Sequence, residues 1–150
     1  MRVEGEEGGG GSARNELVAW LLHRGSIVAA MATTVAAKPQ LSDRLVTFGG
    51  RVCGVIRRAP RDNALDNVFK QLARAATSPA ANYAEARESV SSRDYVYKMK
   101  IVVKELRESL VWLGVAKQAG FKQEQIDELS AECNELIAIA VTCIRRAKGA

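Results

Sequence analysis

The sequence contains few of the residue types that build β-sheets. Aromatic residues make up 5 % of the 150 residues, and only three prolines are present. Because strands are enriched in aromatic and β-branched residues, this composition favours helices over sheets. Hydrophobic residues make up 47 % and charged residues 26 %, which is the range of a soluble globular protein, and the length suits one domain.

The chain also lacks the groups from which most catalytic and metal sites are built. Its one histidine, His23, belongs to no cysteine–histidine cluster that could ligate a metal. No P-loop or GxGxxG motif occurs, and no nucleophile–base pair is recognisable. Adjacent acids such as Asp127 and Glu128 fall in the first turn of a predicted helix, where they compensate the helix dipole. We therefore expect no enzymatic activity, no cofactor and no metal.

Three cysteines are present, Cys53, Cys133 and Cys143. An odd number without a secretion signal indicates reduced thiols in a cytoplasmic protein. Cys133 and Cys143 would lie about 15 Å apart on one helix, which is too far for a disulfide. We expect all three cysteines to fill small spaces in the core.

The first forty residues differ in composition from the rest. They begin with a glycine-rich acidic stretch that is typical of a flexible segment. The apolar run that starts at Leu17 follows four acids and two arginines, which is the wrong charge for a signal peptide. His23 and Arg24 interrupt that run before it reaches the ~20 residues needed to cross a bilayer. We expect residues 1–40 to be a flexible extension, or upstream sequence before a true start at Met31, and we expect no membrane association.

Residues 41–150 contain four segments with the apolar spacing of amphipathic helices. The segments run over about 41–58, 63–88, 92–120 and 123–148. The positions expected to face the core are Leu41, Leu45, Phe48, Val52 and Val55; Leu65, Val68, Phe69, Leu72 and Ala76; Tyr95, Val96, Met99, Val102, Val103, Leu106, Leu110 and Leu113; Ile126, Leu129, Cys133, Leu136, Ala140, Cys143 and Ala147. Because short connections imply antiparallel neighbours, we predict an all-α, antiparallel up-down four-helix bundle.

Two kinds of residue interrupt the predicted helices. Pro79 lies inside the second segment, where it removes one backbone donor and should kink the helix. Gly49, Gly50 and Gly54 lie inside the first segment, and each costs about 1 kcal/mol in a helix. Either a neighbouring backbone approaches these glycines closely, or the first helix is weak there.

The positive charge is unevenly distributed along the chain. Lys and Arg exceed Asp and Glu by 22 − 17 = 5, and the excess is +3 in residues 41–60 and +3 in residues 91–120. On a helical wheel the third segment carries base on one flank of its apolar stripe and acid further round. The bases are Arg93, Lys100, Lys104 and Arg107, and the acids are Asp94, Glu105 and Glu108.

This arrangement of charge has three interpretations. The basic flank can face phosphates. The acids can pair with the bases of a second copy arranged head-to-tail, a contact that closes into a ring. The third interpretation is an ordinary solvated surface.

Two adjoining stretches resemble a known family. ATSPAANYAEA at 76–86 and SRDYVYKMKIVVKELRESLVWL at 92–113 are similar to four-helix-bundle proteins encoded in intervening sequences of bacterial 23S rRNA genes. The residues that carry the resemblance are Ser78, Ala81, Asn82, Ala84, Glu85 and Ala86, then Ser92, Arg93, Tyr95, Lys98, Met99, Lys104, Glu105, Trp112 and Leu113. The resemblance covers about residues 41–148. Many members place proline two residues before the asparagine, whereas Pro79 lies three before Asn82.

The resemblance implies an antiparallel bundle that assembles as a homopentameric ring. It also implies a relative, the accessory protein of diversity-generating retroelements, which binds nucleic acid and a reverse transcriptase. Within the family motif, Ser78, Pro79, Asn82 and Glu85 form a cluster on one helix. We expect Asn82 and Glu85 to satisfy backbone groups freed by Pro79, or to contact a neighbouring subunit, rather than to form a site.

Two functions follow as hypotheses. The first is a ring that binds the backbone of RNA or DNA, as an accessory to a reverse transcriptase or to an RNA process. Its phosphate ligands would be Arg57, Arg58, Arg93, Lys100, Lys104, Arg107, Arg145 and Arg146. The second is a structural or adaptor homo-oligomer that docks a protein partner, which the modest net charge and the lack of aromatic stacking groups among the basic residues favour.

Overall fold

The computed structural model describes residues 40–59 and 63–149. In these ranges it contains four helices and no strand: α1 (Leu41–Arg57), α2 (Asn63–Arg87), α3 (Ser92–Gln118) and α4 (Gln123–Ala147). The bounds lie within two residues of those predicted, and the all-α four-helix bundle is confirmed. The predicted N-terminal extension, Met31 and His23 lie outside the described residues, apart from Gln40.

The four helices pack in a closed square. Each helix contacts the next along the chain, and α1 closes the square against α4. Along α1 and α4 the contacts run in opposite directions, because Arg44 pairs with Glu132 whereas Arg51, further along α1, pairs with Glu128. The same order relates α2 to α3, through Phe69 with Phe121 and Glu85 with Lys98. Leu106 with Cys133 and Lys117 with Asp127 give the same order for α3 and α4. Neighbouring helices are therefore antiparallel, and α1 lies diagonally opposite α3.

Most of the core is formed by positions that the apolar spacing predicts, and Phe121, Ala75, Ala86 and Ala116 are buried in addition. The fully buried large side chains on the predicted stripes are Leu45, Phe48, Val52, Leu72, Met99, Val102, Leu106, Leu113, Ile126, Leu129 and Leu136. Burying one such side chain stabilises the fold by about 1.5–3 kcal/mol. The predicted positions nearest the ends of the bundle, such as Leu41, Tyr95 and Cys143, are half-buried.

Both ends of α3 are fixed by local hydrogen bonds. Ser91 caps the N-terminus, where its Oγ accepts a hydrogen bond from the Asp94 backbone N–H at 3.1 Å. At the C-terminus Gly120 adopts a positive φ of 83°, and the Phe121 N–H donates back to the Ala116 carbonyl at 3.0 Å. This is the Schellman arrangement, which glycine favours because it has no Cβ.

The three glycines of α1 do not share one role. A Cβ added to Gly49 would lie 3.0 Å from the Ala76 carbonyl oxygen, so α1 and α2 approach closely at that point. A Cβ on Gly50 would meet nothing within 4 Å, and one on Gly54 would meet only the guanidinium end of Arg58. Of the two alternatives, a close approach of a neighbouring backbone holds at Gly49 and not at the other two glycines.

The three cysteines differ in their exposure to solvent. Cys133 is fully buried, its Sγ donates to the Leu106 carbonyl at 3.2 Å, and burial raises the pKa of its thiol to about 12. Cys143 is half-buried and Cys53 is exposed. The prediction of a core position is wrong for Cys53, because this residue follows Val52 on the helix and is rotated about 100° away from the core.

The glycine geometry predicts opposite effects for two adjacent substitutions. Gly49→Ala should lower the free energy of unfolding, because its Cβ would press on a backbone carbonyl that cannot rotate away. Gly50→Ala, the matched control, should raise it by about 0.5–1 kcal/mol, because the space is open and alanine favours the helix. Urea unfolding measures both variants, and equal stabilisation by the two would contradict the packing of α1 on α2.

Candidate nucleic-acid interface

Four basic side chains of α3 share one exposed flank. We name Arg93, Lys100, Lys104 and Arg107 the basic strip, and all four are exposed. They lie within a roughly 60° arc of the helix and span about 21 Å along its axis. The fully buried Met99 and Leu106 define the opposite, inward-facing side. The wheel-based prediction of one basic flank is therefore consistent with the exposure of these residues.

Most basic residues that lie between helices are neutralised by acids. Arg44 is the best paired, because its Nε and Nη2 donate to both oxygens of Glu132 at 2.9 and 2.8 Å, and Nη2 also reaches Glu135 at 2.7 Å. Its side chain is 17 % exposed, and the two carboxylates, Glu132 first, raise the pKa of Arg44 above its ordinary value. The remaining inter-helix pairs are Arg51 with Glu128, Lys98 with Glu85 and Lys117 with Asp127.

The basic strip differs from these pairs. Among the described residues, Lys104 is its one member with an acidic partner within 4 Å, and that partner is Glu105 at 3.7 Å. This distance joins neighbours on the same helix, and such an exposed contact contributes little. The bundle therefore uses its acids to join helices and leaves the positive charge of the basic strip facing solvent.

The other predicted phosphate ligands lie elsewhere on the bundle. Arg57 and Arg58 end α1 and line a groove of about 510 Å³ with residues of α4. Because α1 runs parallel to α3 on the opposite diagonal, these two arginines lie at the end of the bundle away from Arg93. Arg145 and Arg146 end α4, at the same end as Arg93. The eight predicted residues thus do not form one surface on a single protomer.

The acids predicted to contact a second copy all have partners within the chain. Asp94 Oδ2 accepts a hydrogen bond from Ser91 Oγ at 2.7 Å, within the N-cap of α3. Glu108 Oε1 accepts one from Trp112 Nε1 at 3.3 Å, and Glu105 lies 3.7 Å from the Lys104 ammonium. Their contact with a second copy stays a prediction.

The cluster around Pro79 is built into the packing of α2. Pro79 is buried, and α2 is helical on both sides of it. Asn82 Nδ2 donates at 3.0 Å to both the carbonyl and the Oγ of Ser78, and Glu85 pairs with Lys98 of α3. The carbonyl that Asn82 contacts belongs to Ser78, one residue before the proline. The carbonyl that loses its N–H donor because of the proline lies four residues before it, so Asn82 does not replace that donor. The predicted kink stays a prediction.

Tyr97 is the residue of this surface that the sequence analysis missed. It is 63 % exposed and lies four residues after Arg93 and three before Lys100, so it borders the basic strip. The expectation that the basic residues lack an aromatic neighbour is therefore wrong. The helical wheel could have revealed Tyr97, since its position is only about 20° from that of Lys104.

The outer face of α3 changes from basic to apolar beyond Arg107. Val111 and Val115 are 61 % and 40 % exposed, and Gly114 between them has no neighbour within 4 Å of its Cβ position. This apolar continuation follows the same flank of the helix. The face thus has a basic half and an apolar half.

Comparisons with known proteins identify the family. Residues 43–142 match the model of the 23S rRNA-intervening sequence proteins. The chain belongs to this family. It is similar to a solved structure from Bacteroides thetaiotaomicron, a protein of unknown function from the S23 ribosomal protein family, with a TM-score of 0.65. The two chains are 23 % identical over 71 % of this chain and 99 % of the other, which establishes a shared fold. No curated protein matches the chain.

Two other classes of site have no candidate in the part of the chain that the structure describes. No three histidine, cysteine or acidic side chains lie together in a way that could hold a metal ion. No helix there is long and apolar enough to span a bilayer.

The ion pairs predict which arginine matters most for the closure of α1 on α4. Arg44→Gln should lower the free energy of unfolding by about 1–3 kcal/mol, because it leaves two adjacent carboxylates without their shared, largely buried cation. Arg51→Gln, the matched control on the same helix pair, removes an exposed pair and should cost below about 1 kcal/mol. Urea unfolding of both variants tests this order, which equal costs would contradict.

Proposed function

We propose that this protein is a non-enzymatic bundle that binds the phosphate backbone of nucleic acid through the basic strip of α3. The observation that carries the proposal is that four cations without an acidic partner on another described helix share one exposed flank of α3, within a roughly 60° arc. Arg44, Arg51, Lys98 and Lys117 all have acidic partners on neighbouring helices, whereas no member of the basic strip has such a partner among the described residues. Unneutralised cations on an exposed flank attract polyanions.

The spacing of the basic strip suits a polymer of phosphates. Lys100 and Lys104 are about 6 Å apart along the axis, and Lys104 and Arg107 about 4.5 Å. Phosphates of one strand recur every ~3.4 Å along a duplex axis, so each side chain can reach a different phosphate. Such contacts hold the backbone without reading the sequence of bases.

We further propose that copies of the chain associate through the apolar half of the same face. Exposed Val111 and Val115 support a protein contact there, and the family resemblance implies a homopentamer. Association would place several basic strips on one assembly and would raise affinity through multivalency. In the adaptor hypothesis, a reverse transcriptase or another protein would bind to this apolar half instead.

The test is charge reversal at Lys100, Lys104 and Arg107 together. The matched control reverses Lys70, Arg74 and Lys122, which are exposed and lie outside the basic strip. Both triple variants lower the formal net charge by the same amount, from +5 to 5 − 6 = −1. The strip variant should lose binding to RNA and DNA oligonucleotides at low salt, whereas the control should retain most of it.

The salt dependence of binding provides a second measure. A protomer that uses all four strip residues on duplex DNA should show a slope of log affinity against log salt of about −3 to −4. Size-exclusion chromatography confirms that both variants keep the assembly state of the wild type. Equal losses in the two variants, or no binding by the wild type, would overturn the proposal.

A further inference from the structure

We infer that the basic strip binds single-stranded nucleic acid more tightly than duplex, with Tyr97 stacking on one unpaired base. The inference rests on the proposed function and specifies its ligand. It starts from the position of Tyr97, whose ring is 63 % exposed at the border of the basic strip. Neighbours three and four residues apart lie next to each other on a helix, so Arg93 and Lys100 flank the ring on either side.

The ring is free to receive a ligand. The Tyr97 side chain forms no hydrogen bond with a described residue. It takes no part in the core, whereas Tyr83 and Tyr95 pack against the core. The acid nearest to it along the helix is Asp94, and the Asp94 carboxylate is held by Ser91 Oγ at 2.7 Å in the N-cap of α3. The surface around the ring therefore offers cations to phosphates and an aromatic face to a base.

This combination selects an unpaired strand. In a duplex both faces of each base are covered by stacked neighbours, so a side chain on an outer helix face can reach only the backbone. A single strand can turn one base out onto the ring while its phosphates stay on the flanking cations. The basic strip lies within a roughly 60° arc of α3. So narrow a strip can follow one nucleic-acid backbone rather than two.

The experiment compares four proteins on matched oligonucleotides. The proteins are the full-length wild type, Tyr97→Ala, Tyr97→Phe and Val46→Ala. The control residue, Val46, is 64 % exposed on α1, diagonally opposite the basic strip. Fluorescence anisotropy measures affinity for an unstructured pyrimidine single strand and for a hairpin duplex of equal length, each as RNA and as DNA.

The wild type should bind the single strand more tightly than the duplex. Tyr97→Ala should weaken single-strand binding by about fivefold or more and leave duplex binding unchanged, because stacking on one base is lost and phosphate contacts remain. Tyr97→Phe should keep the wild-type affinity, and Val46→Ala should change nothing. RNA and DNA should respond alike, since the ring contacts the base and not the sugar.

Two outcomes would overturn the inference. One is a Tyr97→Ala variant that binds both ligands as the wild type does, and the other is equal weakening on single strand and duplex. If the charge-reversed strip variant still loses binding in either case, the proposed function stands and only the role of Tyr97 fails. Photocrosslinking to a bromouridine-containing strand gives an independent readout, with the crosslink expected on the peptide that contains Tyr97.

Discussion

Burial of Met99, Leu106 and Leu113 fixes the rotation of α3 about its own axis, and the surface of that helix depends on it. All three side chains are fully buried at the centre of the bundle. Rotating α3 to bury a different flank would expose these apolar side chains at a cost of about 1.5–3 kcal/mol each. The basic flank therefore faces outward because the apolar stripe faces inward.

The second constraint is the use of acidic residues. Glu85, Asp127, Glu128, Glu132 and Glu135 all lie at contacts between helices and pair there with Lys or Arg. Of the three acids on α3, Asp94 serves the N-cap and Glu108 receives the indole of Trp112. Among the described residues, the one acid within 4 Å of the basic strip is Glu105, at 3.7 Å from Lys104, so a chain of modest net charge still presents one locally basic surface.

The sequence predicts the elements well because their determinants are local. Heptad spacing identifies the buried face of each helix, and Ser91 and Gly120 fix the ends of α3 through hydrogen bonds within a few residues. Features that depend on a neighbouring helix are harder to predict from the sequence. Gly49 contacts α2 whereas Gly50 faces open space, a difference that no pattern within α1 contains.

For the candidate site too, features within one helix can be predicted from the sequence, and features that depend on how the helices pack cannot. The basic strip is predictable because it occupies one helix, whereas the separation of Arg57 and Arg58 from Arg93 requires the order in which the helices pack. Pairing of Arg44 with Glu132 joins residues 88 positions apart, so the sequence could not show which bases are neutralised. The angular position of Tyr97 beside Lys104 follows from the sequence, whereas its 63 % exposure depends on how α3 packs in the bundle.

The central claim is that the unneutralised strip of α3 is where phosphates bind, and lysine footprinting tests it most directly. The native protein is acetylated with and without an excess of single-stranded RNA, and each lysine is quantified by mass spectrometry. Lys100 and Lys104 should be protected by the RNA, while the exposed Lys70 and Lys122 should react as before. Uniform protection of all four lysines, or protection of none, would contradict the claim.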